Sequence, residues 1–249
     1  MIITQPREWE RIIRDLESVG AKKVFVIGCG QCATVAKTGG EEEVAQTAAR
    51  LREEGYEVTG TAVGEVACHL GSARLETRRH RTEFGDADAV VVLSCGAGAQ
   101  TVAEAAPSKP VFPGLESKFL GNVIRHGVFE ERCQMCGECV LDETGGICPV
   151  TTCPKGLLNG PCGGMWEGMC EVLEDRECTW VRIHRRLEEQ GRSLGEGVAP
   201  PKDHSKKPKP GFINMRQARE RPERSTEGPA RRQAPAGRVP AGTDEGEES

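Results

Sequence analysis

The chain has 249 residues, a formal net charge of −5, 12 cysteines and only 4% aromatic residues. That length holds one ordinary domain, a smaller one and a tail, and no apolar run approaches the ~20 residues needed to span a bilayer. The acidic balance makes no overall case for nucleic acid, and the few aromatics leave little on which to stack bases or a flavin of the chain's own.

No signal peptide is visible, because Met1 to Pro6 lead straight into a charged helix. The cysteines are therefore expected as reduced thiolates on metal, in the cytoplasm. From Pro6 to Val19, Trp9, Ile12, Ile13, Leu16 and Val19 recur at helical spacing, and Gly20 closes the helix. Lys22 to Gly28 is a short β-branched run, the mark of a strand buried in a parallel sheet, and it runs into CGQC at Cys29 and Cys32. Ala33 to Gly40 reads as a loop and Glu41 to Glu54 as a second helix. The pattern repeats: strand at Tyr56 to Val63, loop to Cys68, helical character from Ser72 to Phe84, strand at Asp88 to Ser94, then Cys95. A fourth strand is expected at Pro110 to Phe112. Strand alternating with helix argues a small doubly wound, Rossmann-like parallel sheet with right-handed crossovers over residues 1–122.

In such sheets the binding crevice lies beyond the carboxyl ends of the strands. Cys29, Cys32, Cys68 and Cys95 all follow predicted strands there, so the fold can gather them at one edge, and four thiolates together imply a metal. Two other readings stand beside this one. Cys68 and Cys95 could be small buried core residues, and CxxC after a strand is also the thioredoxin-like dithiol arrangement. Gly28 and Gly30 begin a dinucleotide fingerprint, but Ala33 stands at its third glycine and no acidic residue closes a second strand in the expected way, which argues against nucleotide binding.

Residues 123–192 form a cysteine-rich, loop-dominated domain. Between Cys133 and Cys178 lie Cys133, Cys136, Cys139, Cys148, Cys153, Cys162, Cys170 and Cys178, two full sets of four. The opening CQMCGEC is a CxxCxxC run, and Cys148 and Cys153 each precede proline, the spacing of four-iron clusters. Glycines flank Cys162 in KGLLNGPCGG, letting backbone N–H groups approach a cluster. Structural zinc fits one of the two sites, since zinc also takes CxxC pairs, and a disulfide-stapled loop domain is the remaining reading. Thr179 to Gln190 reads as a helix whose Trp180, Ile183 and Leu187 cover this module. Trp166 is expected to shield a cluster from water. His69 follows Cys68, but a lone histidine there is more often solvent-facing or hydrogen-bonded than a ligand. Eight of the fifteen prolines lie from Pro200 onward, so residues 193–249 are expected to form an extended or disordered tail. Within it, Gly211 to Met215 is more apolar and could dock.

No His–carboxylate–Ser pattern, P-loop or convincing pair of carboxylates is present, so no catalytic residue is assigned. What remains is room for two or three [4Fe-4S] centres, and an electron-transfer subunit whose partner carries the chemistry. The stretch from Cys133 to Gly164, with Cys170 and Cys178, resembles the C-terminal domain associated with methylenetetrahydrofolate reductase. Residues 1 to 190 resemble the small iron–sulfur subunit of the two-subunit acetogen-type enzyme. The resemblance implies a partner subunit, a TIM barrel carrying FMN, that reduces methylenetetrahydrofolate to methyltetrahydrofolate. It implies electrons from ferredoxin or from an electron-bifurcating, heterodisulfide-reductase-like complex, and all twelve cysteines as cluster ligands. Two alternatives are a structural zinc scaffold for the reductase and an iron–sulfur adaptor of a heterodisulfide-reductase-like assembly without a folate connection.

Overall fold

Val24, Phe25, Val26 and Ile27, and likewise Val90, Val91 and Val92, are all buried although their side chains alternate between two faces. Only the interior of a parallel sheet with helices on both faces buries such a run completely. In the computed structural model, which describes residues 1–195, 198–207 and 209–215, these runs form the centres of β2 (Lys23–Cys29) and β4 (Ala89–Leu93). β3 (Glu57–Gly64) pairs with the far side of β2, and β5 (Val111–Pro113) with the far side of β4. The four strands are parallel, in the order β3-β2-β4-β5.

The two faces are covered by different helices. α1 (Trp9–Ser18), the one-turn α2 (Cys32–Val35) and α3 (Glu41–Glu53) bring Ile12, Leu16, Ala33, Val44 and Leu51 onto Val24, Val26 and Val91. α4 (Leu70–Arg79), α5 (Arg81–Asp86) and α6 (Gly96–Ala105) bring Ala73, Phe84, Ala99 and Val102 onto Phe25, Ile27, Val90 and Val92. Each fully buried Val, Leu, Ile or Phe contributes about 1.5–3 kcal/mol relative to an exposed one, so this double layer dominates the stability of the first half. The α/β class and the parallel sheet read from sequence are what the fold has.

Details differ. Ser72 to Phe84 is two helices broken at His80, and the stretch after CGQC read as a loop begins with α2. A three-stranded antiparallel sheet, β1-β6-β7, stands beside the parallel one. It joins β1 (Ile2–Pro6), β6 (Leu115–Arg125) and β7 (Val128–Cys133), so β6 carries the chain through position 122 without interruption. Gly127, at φ +75°, makes the turn between β6 and β7. Arg7 ties this sheet to α1, its Nε donating to Glu116 Oε1 at 2.7 Å and its Nη1 to Asp15 Oδ2 at 3.2 Å.

Beyond Cys133 regular structure is sparse. α7 (Pro149–Thr152) is a single turn, and α8 (Thr179–Glu189) lays Trp180, Ile183 and Leu187 against Ile147 and Cys178. The chain up to Lys207 forms one unit and the chain from Pro208 a second. In the first, residues 198–207 lie along the cysteine-rich loops. Asn159 exchanges two hydrogen bonds with the Ala199 backbone, at 3.0 and 2.6 Å. Glu138 receives the Lys206 ammonium at 2.5 Å and the Asp203 amide at 3.0 Å. In the second, Phe212, Ile213 and Met215 are exposed; of the tail expected over 193–249, residues 216–249 lie outside the described residues. Among the described residues no helix is long and apolar enough to cross a membrane.

Gly39 is where the two halves of the β2–α3 connection close on the sheet: a Cβ there would overlap the Leu93 carbonyl and crowd Ala33. Gly39→Ala is therefore expected to lower the urea unfolding free energy by about 1–3 kcal/mol through overpacking. Gly85→Ala, in α5 with open space around it, stays within about 0.5 kcal/mol of the parent or gains slightly. Equal midpoints for the two variants would contradict this packing.

Candidate metal centres

A doubly wound sheet has one place where successive crossovers leave in opposite directions. Here β2 is flanked by β3 on one side and β4 on the other, so that place lies between β2 and β4, where such folds bind ligands. Cys29 is the last residue of β2, Cys32 the first of α2, and Cys95 the residue that precedes α6 directly after β4. Cys68 lies on the loop after β3. Glycines make the close approach workable: Gly30 N donates to Gly64 O at 2.8 Å and Cys29 N to Gly39 O at 2.9 Å. The space a Gly28 side chain would need is taken by Gly39 O and Val44, which gives that glycine a packing role in place of a phosphate-binding one.

Cys68 senses the other three thiols. Burial pushes the Cys68 thiol above its ordinary pKa, and Cys95, Cys29 and Cys32 add to the shift through their own negative charge. Cys29 is buried, Cys32 and Cys95 half-buried and Cys68 exposed, none of them in a disulfide. His69 is used elsewhere, its Nδ1 accepting from Ser72 N at 3.1 Å to cap α4.

The cysteine-rich segment brings four of its eight cysteines to one cavity. Cys153, Cys162, Cys170 and Cys178 line one cavity with Met165, Trp180, Lys155 and Glu171. Local backbone bonds bring them there. Cys153 ends α7, while Cys170 N donates to Arg176 O at 2.9 Å and Cys178 N to Gly168 O at 2.7 Å, folding the 168–178 loop back on itself. Trp180 walls the cavity, only 5% exposed and donating its Nε1–H to Leu157 O at 3.0 Å. Trp166, expected from sequence to shield a cluster, is 75% exposed; its place is taken by Trp180, which the sequence had assigned only to covering the module.

The remaining four are Cys133, Cys136, Cys139 and Cys148. Cys133 closes β7, and Cys148 caps the N-terminus of α7, which packs against β7. Cys139 and Pro149 line one groove, roofed by residues 198–203. Met135 adopts the left-handed conformation, φ 54°, and its amide donates to Cys133 Sγ at 3.2 Å. A non-glycine residue held there costs about 1–3 kcal/mol, and the N–H···S bond is the return. Lys206, and then the Asp203 amide, hold the Glu138 carboxyl below its usual range between Cys136 and Cys139.

Donor sets made only of cysteine suit iron–sulfur clusters and structural zinc. Thr151 Oγ1, in α7 between Cys148 and Cys153, is the buried side-chain polar atom left without a partner among the described residues. That orphan fits a hydrogen bond to a bound group. Among the described residues no group of three or more His, Cys, Asp or Glu side chains has the geometry to hold a metal ion directly.

The Cys68 shift has a sign that can be measured. In the reduced, metal-free chain, Cys68 forms its reactive thiolate at higher pH than a free cysteine does, so iodoacetamide alkylation at this residue lags behind and rises with pH later. Cys95→Ser removes the largest neighbouring charge and speeds alkylation at Cys68. Peptide mapping that finds no change on that substitution would separate the two residues.

Residues 112–205 match the family model described as "Methylene-tetrahydrofolate reductase C terminal". The match takes in β6, β7, all eight cysteines from Cys133 to Cys178 and the segment that roofs their groove. Comparison with the curated proteins and with the solved structures found no match. The segment carrying the eight cysteines of the second half is thus similar to the C-terminal part of methylenetetrahydrofolate reductases.

Proposed function

We propose that the chain is an electron-transfer component of a methylenetetrahydrofolate-reducing oxidoreductase, and that its cysteines hold two or three [4Fe-4S] clusters. The observation that carries this reading is the cavity lined by Cys153, Cys162, Cys170 and Cys178 inside the segment that matches the reductase family model. The two four-cysteine groups of that segment divide its eight thiolates evenly. Cys29, Cys32, Cys68 and Cys95 are the third candidate set. Bound in these sites, iron–sulfur clusters supply one-electron transfer.

The residues around the thiols do the remaining work. Trp180 and Met165 keep water from one side of the Cys153 cavity, and a drier site disfavours added negative charge. The Met135 amide, aimed at Cys133 Sγ, offsets charge on that sulfur. In this reading hydride transfer is assigned to a flavin-bearing partner, expected to be a TIM barrel with FMN. Ferredoxin or a heterodisulfide-reductase-like complex is the proposed source of electrons, in the cytoplasm.

Iron and acid-labile sulfide measured on the anaerobically reconstituted full chain test the grouping. Cys162→Ser is expected to remove about four irons per chain, adding Cys170→Ser no more, and adding Cys136→Ser about four further. Parent protein that takes up zinc alone, or losses that add for Cys162 and Cys170, would contradict the assignment.

Metal removal gives a second check. Between Cys133 and Cys178 the buried residues are Thr144, Gly145, Ile147, Pro149 and Cys178, too few to fix these loops by apolar burial. Chelation is expected to make amides of this stretch exchange rapidly while β2 and β4 stay protected, as read by hydrogen exchange. Uniform protection with and without metal would contradict it.

A further inference from the structure

The Cys153–Cys178 cavity carries a charged rim that thiolate ligation by itself does not require. In the metal-free chain Glu171 Oε2 accepts from the Cys162 thiol at 3.3 Å, a bond lost with the thiol proton on ligation, and also from the Lys155 ammonium, which remains. Both charged side chains line the cavity yet stay partly open, at 37% exposure for Lys155 and 44% for Glu171. Gly164 explains how the carboxylate comes so close: a Cβ on that residue would overlap the carboxylate of Glu171. Gly163, one position earlier, has open space around it, so the requirement is specific to residue 164.

A cation beside a ligand sulfur favours the reduced, more negative state of whatever the thiolates hold, and an anion opposes it. We propose that Lys155 and Glu171 form a charge pair that sets the reduction potential of the centre at Cys153, Cys162, Cys170 and Cys178, with Gly164 positioning the carboxylate. The inference rests on the reading of these thiolates as cluster ligands. Lys155 raises the potential and Glu171 lowers it. Because they meet at one carboxylate oxygen, each limits the reach of the other. Their partial exposure lets solvent and salt damp both effects.

The test is a mediator-poised redox titration, read by electron paramagnetic resonance, on the full chain loaded anaerobically with ferrous iron and sulfide. Lys155→Met moves one midpoint negative, and Glu171→Gln moves the same midpoint positive. Lys155→Arg stays with the parent, and both shifts shrink as potassium chloride is raised. Gly164→Ala, which alters no charge, moves that midpoint positive by displacing Glu171, whereas Gly163→Ala leaves it in place. Iron and sulfide counted on each sample separate the two claims. A parent chain that binds no iron overturns the cluster reading and this inference together. Iron-replete variants whose midpoints coincide with the parent's overturn the charge pair alone. If Lys155→Met loses about four irons while Lys155→Arg keeps them, the lysine serves assembly, and the proposal is likewise overturned.

Discussion

A parallel sheet places the carboxyl ends of all its strands along one edge, and the first half of this chain depends on that constraint. β2, β3 and β4 end there; Cys29 is the last residue of β2, and Cys68 and Cys95 follow β3 and β4. Thiols far apart in sequence therefore meet without any local motif to join them, and only the CxxC of Cys29 and Cys32 is visible as a pair. The same constraint makes the sheet a rigid support: Val24, Val26, Val90, Val91 and Val92 have no exposed surface. Strand ends anchored in such a core position side chains more tightly than free loops do.

The second half solves the same problem by different means. It has one small apolar cluster, built by α8 around Ile147, Cys178, Trp180, Ile183 and Leu187. Its cysteines stand at the ends of short elements: Cys133 at the end of β7, Cys148 and Cys153 on either side of α7, and Cys178 before α8. Backbone bonds such as Cys178 N to Gly168 O fix the intervening turns. Ligation of a metal couples directly to the folding of such a segment, with apparent energies of about 10–16 kcal/mol where structural zinc has been measured in small peptides. Two charged pairs, Lys155 with Glu171 and Lys206 with Glu138, stand beside these cysteines.

Much of this was legible in the residue order. The β-branched runs at the centres of β2 and β4 are plain in the sequence, because burial on both faces removes polar residues from positions 24–27 and from Ala89–Leu93. The cysteine spacings marked the candidate ligands. Other features escaped for physical reasons. β1 pairs with a strand more than a hundred residues away, Ile2 against Leu120, and no local pattern reports such a partner. β6 and β7 turn through His126 and Gly127, a pair outside the usual hairpin signals. α6 is a Gly- and Ala-rich segment, GAGAQTVAEA, with little apolar period to detect. Trp166 and Trp180 are indistinguishable as residue types, and only the fold of the 168–178 loop turns one to water and the other to the cysteines. The docking of residues 198–207 was hidden by their proline- and lysine-rich composition, which by itself signals an unfolded tail.

These parts combine into one account: two differently built halves, each rich in cysteine at the ends of its elements, in a chain whose residues 112–205 match the methylenetetrahydrofolate reductase C-terminal model. The most direct measurement is anomalous diffraction from anaerobically grown crystals, collected at the iron and zinc absorption edges. The account predicts iron scattering bridging Cys153, Cys162, Cys170 and Cys178, and again within the group of Cys133, Cys136, Cys139 and Cys148. Zinc-edge signal alone at those positions, or the same sulfurs joined in disulfides, would contradict it.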